Sequence, residues 1–188
     1  MPADEAVMVA TRSWLERAVI GLNLCPFAKA VHAKGQIHIA ISAADSPSQI
    51  LDDLARELDA LVASDPQERE TTLLVVPDCL GLFLDFNAFV LRAERLVRRK
   101  GLEGTIQLAS FHPQYCFGDA TEDDVTNFSN RSPYPTLHLL REESIEKAVS
   151  AFPDPEVIYG ANLETLRQLG VAGWVALDVG PAKRKPPT

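Results

Sequence analysis

Four groups of side chains in this 188-residue sequence have the chemistry to bind or transform a ligand. The first is His112, followed by Pro113 and Tyr115. An imidazole that titrates near neutrality can act as general acid, general base or metal ligand. Its competing reading is a ring that hydrogen-bonds loop backbone and fixes its path. The second group is Asn127, Asn130, Arg131 and Ser132, with Pro133 and Tyr134 behind them. A guanidinium fork beside amide and hydroxyl donors suits a carboxylate or phosphate. The same arginine can instead tie the loop to Asp119, Glu122, Asp123 or Asp124. The third group is His138 and Arg141, where strand alternation turns His138 either toward a ligand or into sheet packing. The fourth is Cys25. At the positive end of a short helix its thiol would be activated; otherwise it is a small buried hydrophobe beside Phe27. On this reading His112 and Cys25 are the catalytic candidates, and Asn127, Asn130, Arg131, Ser132, Tyr134, His138 and Arg141 the ligand-binding ones.

The elements that must position these residues follow from hydrophobic period and punctuation. A helix is expected from about Ala6 to Ile20, with Val7, Trp14, Leu15, Ala18 and Val19 on one face and Gly21 as its stop. Pro26 opens a short helix reaching about Val31. Ile37–Ile41 alternates and is β-branched, so it reads as a strand. Ser46-Pro-Ser-Gln49 is a capping box ahead of a helical stripe ending near Ala63. Thr71–Pro77 is a short apolar strand of the kind buried on both faces. A long helix then carries Leu82, Phe83, Phe86, Phe89, Val90, Ala93, Leu96 and Val97 on its buried side. Its Arg98-Arg99-Lys100 end and Gly101 suit a helix C-terminus. Gly104–Phe111 is a third strand and Thr136–Leu140 a fourth, of undetermined direction. Helices are expected from Glu142 to Val149 and from an Asp154 cap to Gly170. Gly173–Val179 reads as an edge strand or, preferably, a packed extended tail. The stretch from Pro113 to Pro135 follows neither period, and its aromatics and prolines point to an ordered loop.

Strands joined by crossover helices normally lie parallel, and ligands in such sheets bind beyond the carboxyl ends of the strands. The expected fold is therefore a single α/β domain over residues 1–180, with a mostly parallel central sheet of about four strands flanked by helices. The alternative is a two-layer α+β sandwich of ferredoxin type. Residues 181–188 are expected to form a flexible tail.

Composition narrows the function. With 18 basic and 26 acidic residues the net charge is −8, which argues against nucleic acid as a partner. No run is apolar enough for a membrane span, and the acidic start MPADEAVMVATRSW is unlike a signal peptide, so the expected address is the cytoplasm. The cysteines Cys25, Cys79 and Cys116 are too widely spaced for a disulfide framework. With His32 and His112 they offer zinc-type ligands, yet no pair has the short spacing of a metal site. No metal or cofactor is assigned. Walker, dinucleotide-binding, nucleophile-elbow and zincin motifs are absent.

Leu22-Asn-Leu-Cys-Pro-Phe-Ala28, Phe111-His-Pro-x-Tyr115 and Asn130-Arg-Ser-Pro-Tyr-Pro-Thr-Leu-His-Leu-Leu-Arg-Glu142 together resemble the bacterial family called domain of unknown function 1415. The resemblance runs from about Thr11 to Gly170. It implies a free-standing bacterial protein and no particular activity, cofactor or partner. Cys25, His112, Arg131 and His138 fall inside its motifs; Cys79 and Cys116 do not. The function expected from the residues is an enzyme acting on a small anionic metabolite, with a histidine acid or base and an arginine clamp. The alternative is a binding or scaffold protein whose loop 113–135 exposes Phe117, Phe128 and Tyr134 as a recognition surface, and a third is Cys/His metal binding.

Overall fold

The computed structural model describes residues 3–151 and 155–182. The expected cap Asp154 and residues 183–188 of the expected tail lie outside the described residues. Helices α1 (Ala3–Trp14), α2 (Ala28–Ala33), α3 (Pro47–Ala63), α4 (Phe83–Arg99), α5 (Glu142–Ala151) and α6 (Pro155–Ala176) surround strands β1 (Ile37–Ile41), β2 (Thr71–Val75), β3 (Ile106–Phe111) and β4 (Thr136–Arg141). The fold class is α/β, with one four-stranded sheet in the order β1-β2-β4-β3.

The sheet is not mostly parallel as expected. Only β1 and β2 pair parallel, whereas β4 runs antiparallel to both of its neighbours, β2 and β3. The reason lies in the connections. Helices α3 and α4 carry the chain back between β1, β2 and β3, so these three strands point one way. Between β3 and β4 no such helix intervenes, and a parallel return normally needs one. β4 therefore enters from the end where β3 leaves. In its central slot Leu137 and Leu139 are fully buried on one side and Thr136 is buried on the other.

Alternation along the strands separates two cores. Leu74, Val76, Ile106, Leu137 and Leu139 meet the stripe Ile50, Leu54, Leu58 and Leu61 of α3 and Phe86, Phe89 and Ala93 of α4. Each fully buried side chain of this kind contributes about 1.5–3 kcal/mol. On the opposite face Leu73 packs beneath Trp14, Leu15, Ala18 and Val19, and Val75 beneath Val7, Ala10 and Tyr134. The expected helix stripes are thus largely buried as read, but Val62 of α3 and Tyr159 of α6 are exposed, and Leu82 lies ahead of α4 and is exposed too.

Local details depart from expectation where packing overrides propensity. The first helix changes after Trp14 into a π-helical segment, Leu15–Ile20, in which Gly21 N–H donates to the Glu16 carbonyl. Gly21 ends it with a right-handed φ of −62°, and the positive φ falls on Asn23 instead. Gly21 is needed for space: a Cβ there would stand 2.3 Å from the Arg17 carbonyl oxygen. At α3, Ser46 is the N-cap as expected but makes no side-chain cap, and Gln49 Oε1 accepts from the Asp45 N–H, so the reciprocal box does not form. In α6 the helix breaks at Gly170 (φ 64°) and then resumes. The expected extended segment at Gly173 is therefore helical to Ala176, because Trp174 stacks on Phe128 with ring centroids 4.9 Å apart. No helix among the described residues is long and apolar enough to cross a membrane.

Candidate functional site

The loop 112–135 is ordered by its own polar side chains. His112 is 0% exposed and lies against the rings of Phe83 and Phe86 at 5.5 and 5.1 Å. Its Nδ1 accepts from the Gln114 N–H at 3.0 Å, so the ring proton is on Nε2 and is donated to the Leu80 carbonyl at 3.1 Å. Desolvation holds its pKa below the usual histidine range. Both nitrogens are thereby committed to backbone, and none is left to exchange a proton with a ligand. One carbonyl it holds belongs to Leu80, whose φ of 59° is unfavourable for a side chain with a Cβ.

Arg131 is also committed. Its Nε donates to the Tyr115 carbonyl at 3.2 Å and its Nη2 to the Glu122 carbonyl at 2.6 Å, while the guanidinium lies 4.8 Å from the Phe128 ring centre. The loop countercharge anticipated for it is thus replaced by main-chain carbonyls. Asn127 is fully buried, accepting from the Phe117 N–H and donating to the Thr121 carbonyl. Asn130 donates to the Ser110 carbonyl and Ser132 to the Tyr134 carbonyl. A 3-10 turn, Val125–Asn130, supports this stretch and is capped by the Asp124 side chain. The loop is fastened to the first helix by Trp14 Nε1, which donates to the Arg131 carbonyl at 2.8 Å. Arg141 points to the α3 face. There its Nη2 meets the Leu61, Ser64 and Arg69 carbonyls at 2.6, 2.9 and 3.1 Å, closing the end of α3.

His138 has a different setting. Register places Leu73 of β2 and Ala109 of β3 on either side of it, on the sheet face away from α3 and α4. The small Ala109 leaves room, and α1, α2 and α5 stand around that room without filling it. The result is a cavity of about 550 Å³, walled chiefly by apolar groups such as Trp14, Leu15, Val19, Leu73, Phe111 and Ile145. Polar groups at its border include Glu70, Thr71, Gln107, His138 and Arg141, whose buried Nε has no hydrogen-bond partner among the described residues.

Hydrogen counting assigns the imidazole tautomer. Thr71 has one hydroxyl proton, which goes to the Leu139 carbonyl at 2.7 Å. The 2.6 Å contact between Thr71 Oγ1 and His138 Nε2 must then be donated by the ring. Nδ1 is left as an acceptor, with no hydrogen-bond partner among the described residues. Burial pushes the pKa of His138 down to about 4, so the ring is neutral at pH 7.

A family model described as "Protein of unknown function (DUF1415)" matches residues 6–176. The chain belongs to DUF1415. No curated protein and no solved structure matches it.

Within this DUF1415 chain, the motif residues Cys25 and His138 both border the cavity, whereas His112 and Arg131 are built into the loop. Cys25 precedes α2 rather than starting it: Phe27 is at the cap position, and the Cys25 carbonyl accepts from the Ala28 N–H. All three cysteines are free and partly buried, and no group of three or more His, Cys, Asp and Glu among the described residues is placed to hold a metal ion. Phe128 and Tyr134 are buried, so the loop aromatics do not form the exposed patch that a recognition surface would need. What sequence reasoning missed was Thr71 as the partner of His138, and the cavity itself. The Thr71-Thr72 pair at the head of a strand that is otherwise apolar was the available signal.

Proposed function

We propose that the protein binds a small, uncharged, largely apolar molecule in the cavity over β3 and β4. The observation that carries this reading is a neutral imidazole with an unshared Nδ1 lone pair on the wall of an apolar cavity of ligand size. Ligand cavities fall in the range of about 300–1,000 Å³ and combine an apolar lining with a few fixed polar groups. A ligand hydroxyl or amide N–H would donate to Nδ1, while Thr71 holds the ring from the other side. With its pKa at about 4, His138 serves at neutral pH as a hydrogen-bond acceptor and not as a strong base.

An anionic metabolite is the weaker reading. Arg131 donates from Nε and Nη2 to main-chain carbonyls, and Arg141 meets three carbonyls through Nη2, leaving a buried Nε at the cavity border beside Glu70. A negative ligand would lose its hydration against a mainly apolar wall, and the charge of Glu70 at the same border offsets that of Arg141.

Fluorescence titration with 1-aminoanthracene, a neutral apolar probe, tests the reading. Saturable binding to the wild type is expected, weakened at least about tenfold by Ala109→Phe, which fills the space beside His138. Absence of saturable binding, or binding indifferent to Ala109→Phe in a folded variant, overturns it.

A further inference from the structure

A second cavity, of about 300 Å³, lies between the 3-10 turn of the loop and α6. It meets the larger one at Val19, Cys25 and Phe111, three residues that border both. The two spaces differ in chemistry. The larger one is walled chiefly by hydrocarbon and aromatic groups. The smaller one is bordered by Ser129, Asn130, Tyr159 and Asn162, and no charged residue among the described ones lines it. Asn162 donates from Nδ2 to the Leu24 carbonyl at 2.8 Å, leaving its Oδ1 without a hydrogen-bond partner among the described residues. Ser129 has one hydroxyl proton to divide between the Thr126 carbonyl and Asn130 Oδ1, so acceptor capacity remains on this wall as well.

We propose that the two cavities form one bipartite site for an elongated amphiphile: its apolar body in the larger space and an uncharged, hydroxyl- or amide-bearing end in the smaller one. This rests on the reading of the larger cavity as an apolar binding site and names the ligand class more closely. An uncharged end is specified because neither a cation nor a carboxylate among the described residues lines the smaller space, and a charge placed there would be desolvated without a partner. A hydrogen-bonding end is specified because the remaining side-chain capacity at Asn162, Ser129 and Asn130 is mostly acceptor. The ligand would pass between Cys25 and Phe111. Phe111 is the last residue of β3, and its ring meets Trp14 edge-on with centroids 5.2 Å apart.

The test uses displacement of 1-aminoanthracene by two probes with the same apolar chain, 1-monooctanoylglycerol and methyl octanoate. In the wild type the diol end should lower the half-displacing concentration at least about tenfold relative to the methyl ester. Leu163→Trp, which fills the smaller cavity from α6, should abolish that advantage and leave 1-aminoanthracene binding unchanged. Ser129→Leu provides the same block from the loop side if Leu163→Trp does not fold. Equal displacement by the two probes, or an advantage that survives both blocks, overturns the bipartite site while the larger cavity keeps its assignment. If calorimetry shows that wild type takes up neither 1-aminoanthracene nor 1-monooctanoylglycerol, both readings fall together.

Discussion

His138 should make the protein acid-labile in a calculable way. In the folded protein the ring resists protonation until about pH 4, whereas in the unfolded chain it titrates at 6.5. Between these values the unfolded state binds the extra proton, so stability falls as pH falls through 6.5 and levels off below 4. Moving a proton site over that interval amounts to about 3 kcal/mol, of which about 2 kcal/mol is lost between pH 7 and pH 4.5. His38 and His112 are also held below the ordinary value, chiefly by burial, and they act in the same direction; carboxylates add their own slopes. A comparison with His138→Gln removes these common contributions, because glutamine does not titrate and its amide can still donate to Thr71. Urea unfolding at the two pH values should show the wild type losing about 2 kcal/mol more than the variant. Equal losses would refute the reasoning. So would an NMR titration in which the His138 ring protons move near pH 6.5, since that would mean that water or a counter-charge solvates the imidazolium inside the cavity.

His112→Phe keeps the aromatic volume but orphans the Leu80 carbonyl and the Gln114 N–H. Denaturant unfolding should show a loss of about 2–4 kcal/mol with 1-aminoanthracene affinity unchanged; an unchanged stability with lost binding would return His112 to the ligand site. Gly21→Ala should cost more than the few tenths of a kcal/mol of an ordinary exposed substitution, about 2 kcal/mol or above, because its Cβ would collide with the Arg17 carbonyl. Full tolerance in thermal unfolding would show that the π-helical segment relaxes to α.

Much of the fold was legible, and what was missed has physical causes. The stripes of α3 and α4 and all four strands follow from period alone, since each carries apolar residues at the spacing its structure demands. The direction of β4 was also within reach: residues 112–135 contain only a 3-10 turn, and a parallel return without a crossover helix is rare. Its central position was not. Nothing local to Thr136–Arg141 says that β2 and β3 leave a slot between them. The site residues divide on the same line. His112 and Arg131 looked reactive because their types are, but a histidine or arginine in a loop rich in main-chain carbonyls finds its partners there first. His138 owes its character to Thr71 and Ala109, which are remote in sequence and meet only across the sheet. Trp174 shows the limit of composition: Gly170 does break the helix as read, but the chain resumes helix through Gly173, where Trp174 stacks on Phe128.

The placement of β4 also sets an order for how the chain can be completed. β2 and β3 are neighbours in sequence but not in hydrogen bonding; β2 has β1 on one edge, and its other edge, like the inner edge of β3, is paired only by β4. During synthesis, a chain that has emerged only as far as Phe111 presents the inner edges of β2 and β3 unpaired, with apolar side chains along both. Open edges of that kind recruit other chains. The sheet is complete only once Thr136–Arg141 has paired with both edges, and long-range pairing of that kind makes for slow folding. The loop that fastens Trp14 to Arg131 thus also decides how long the nascent protein stays exposed to aggregation.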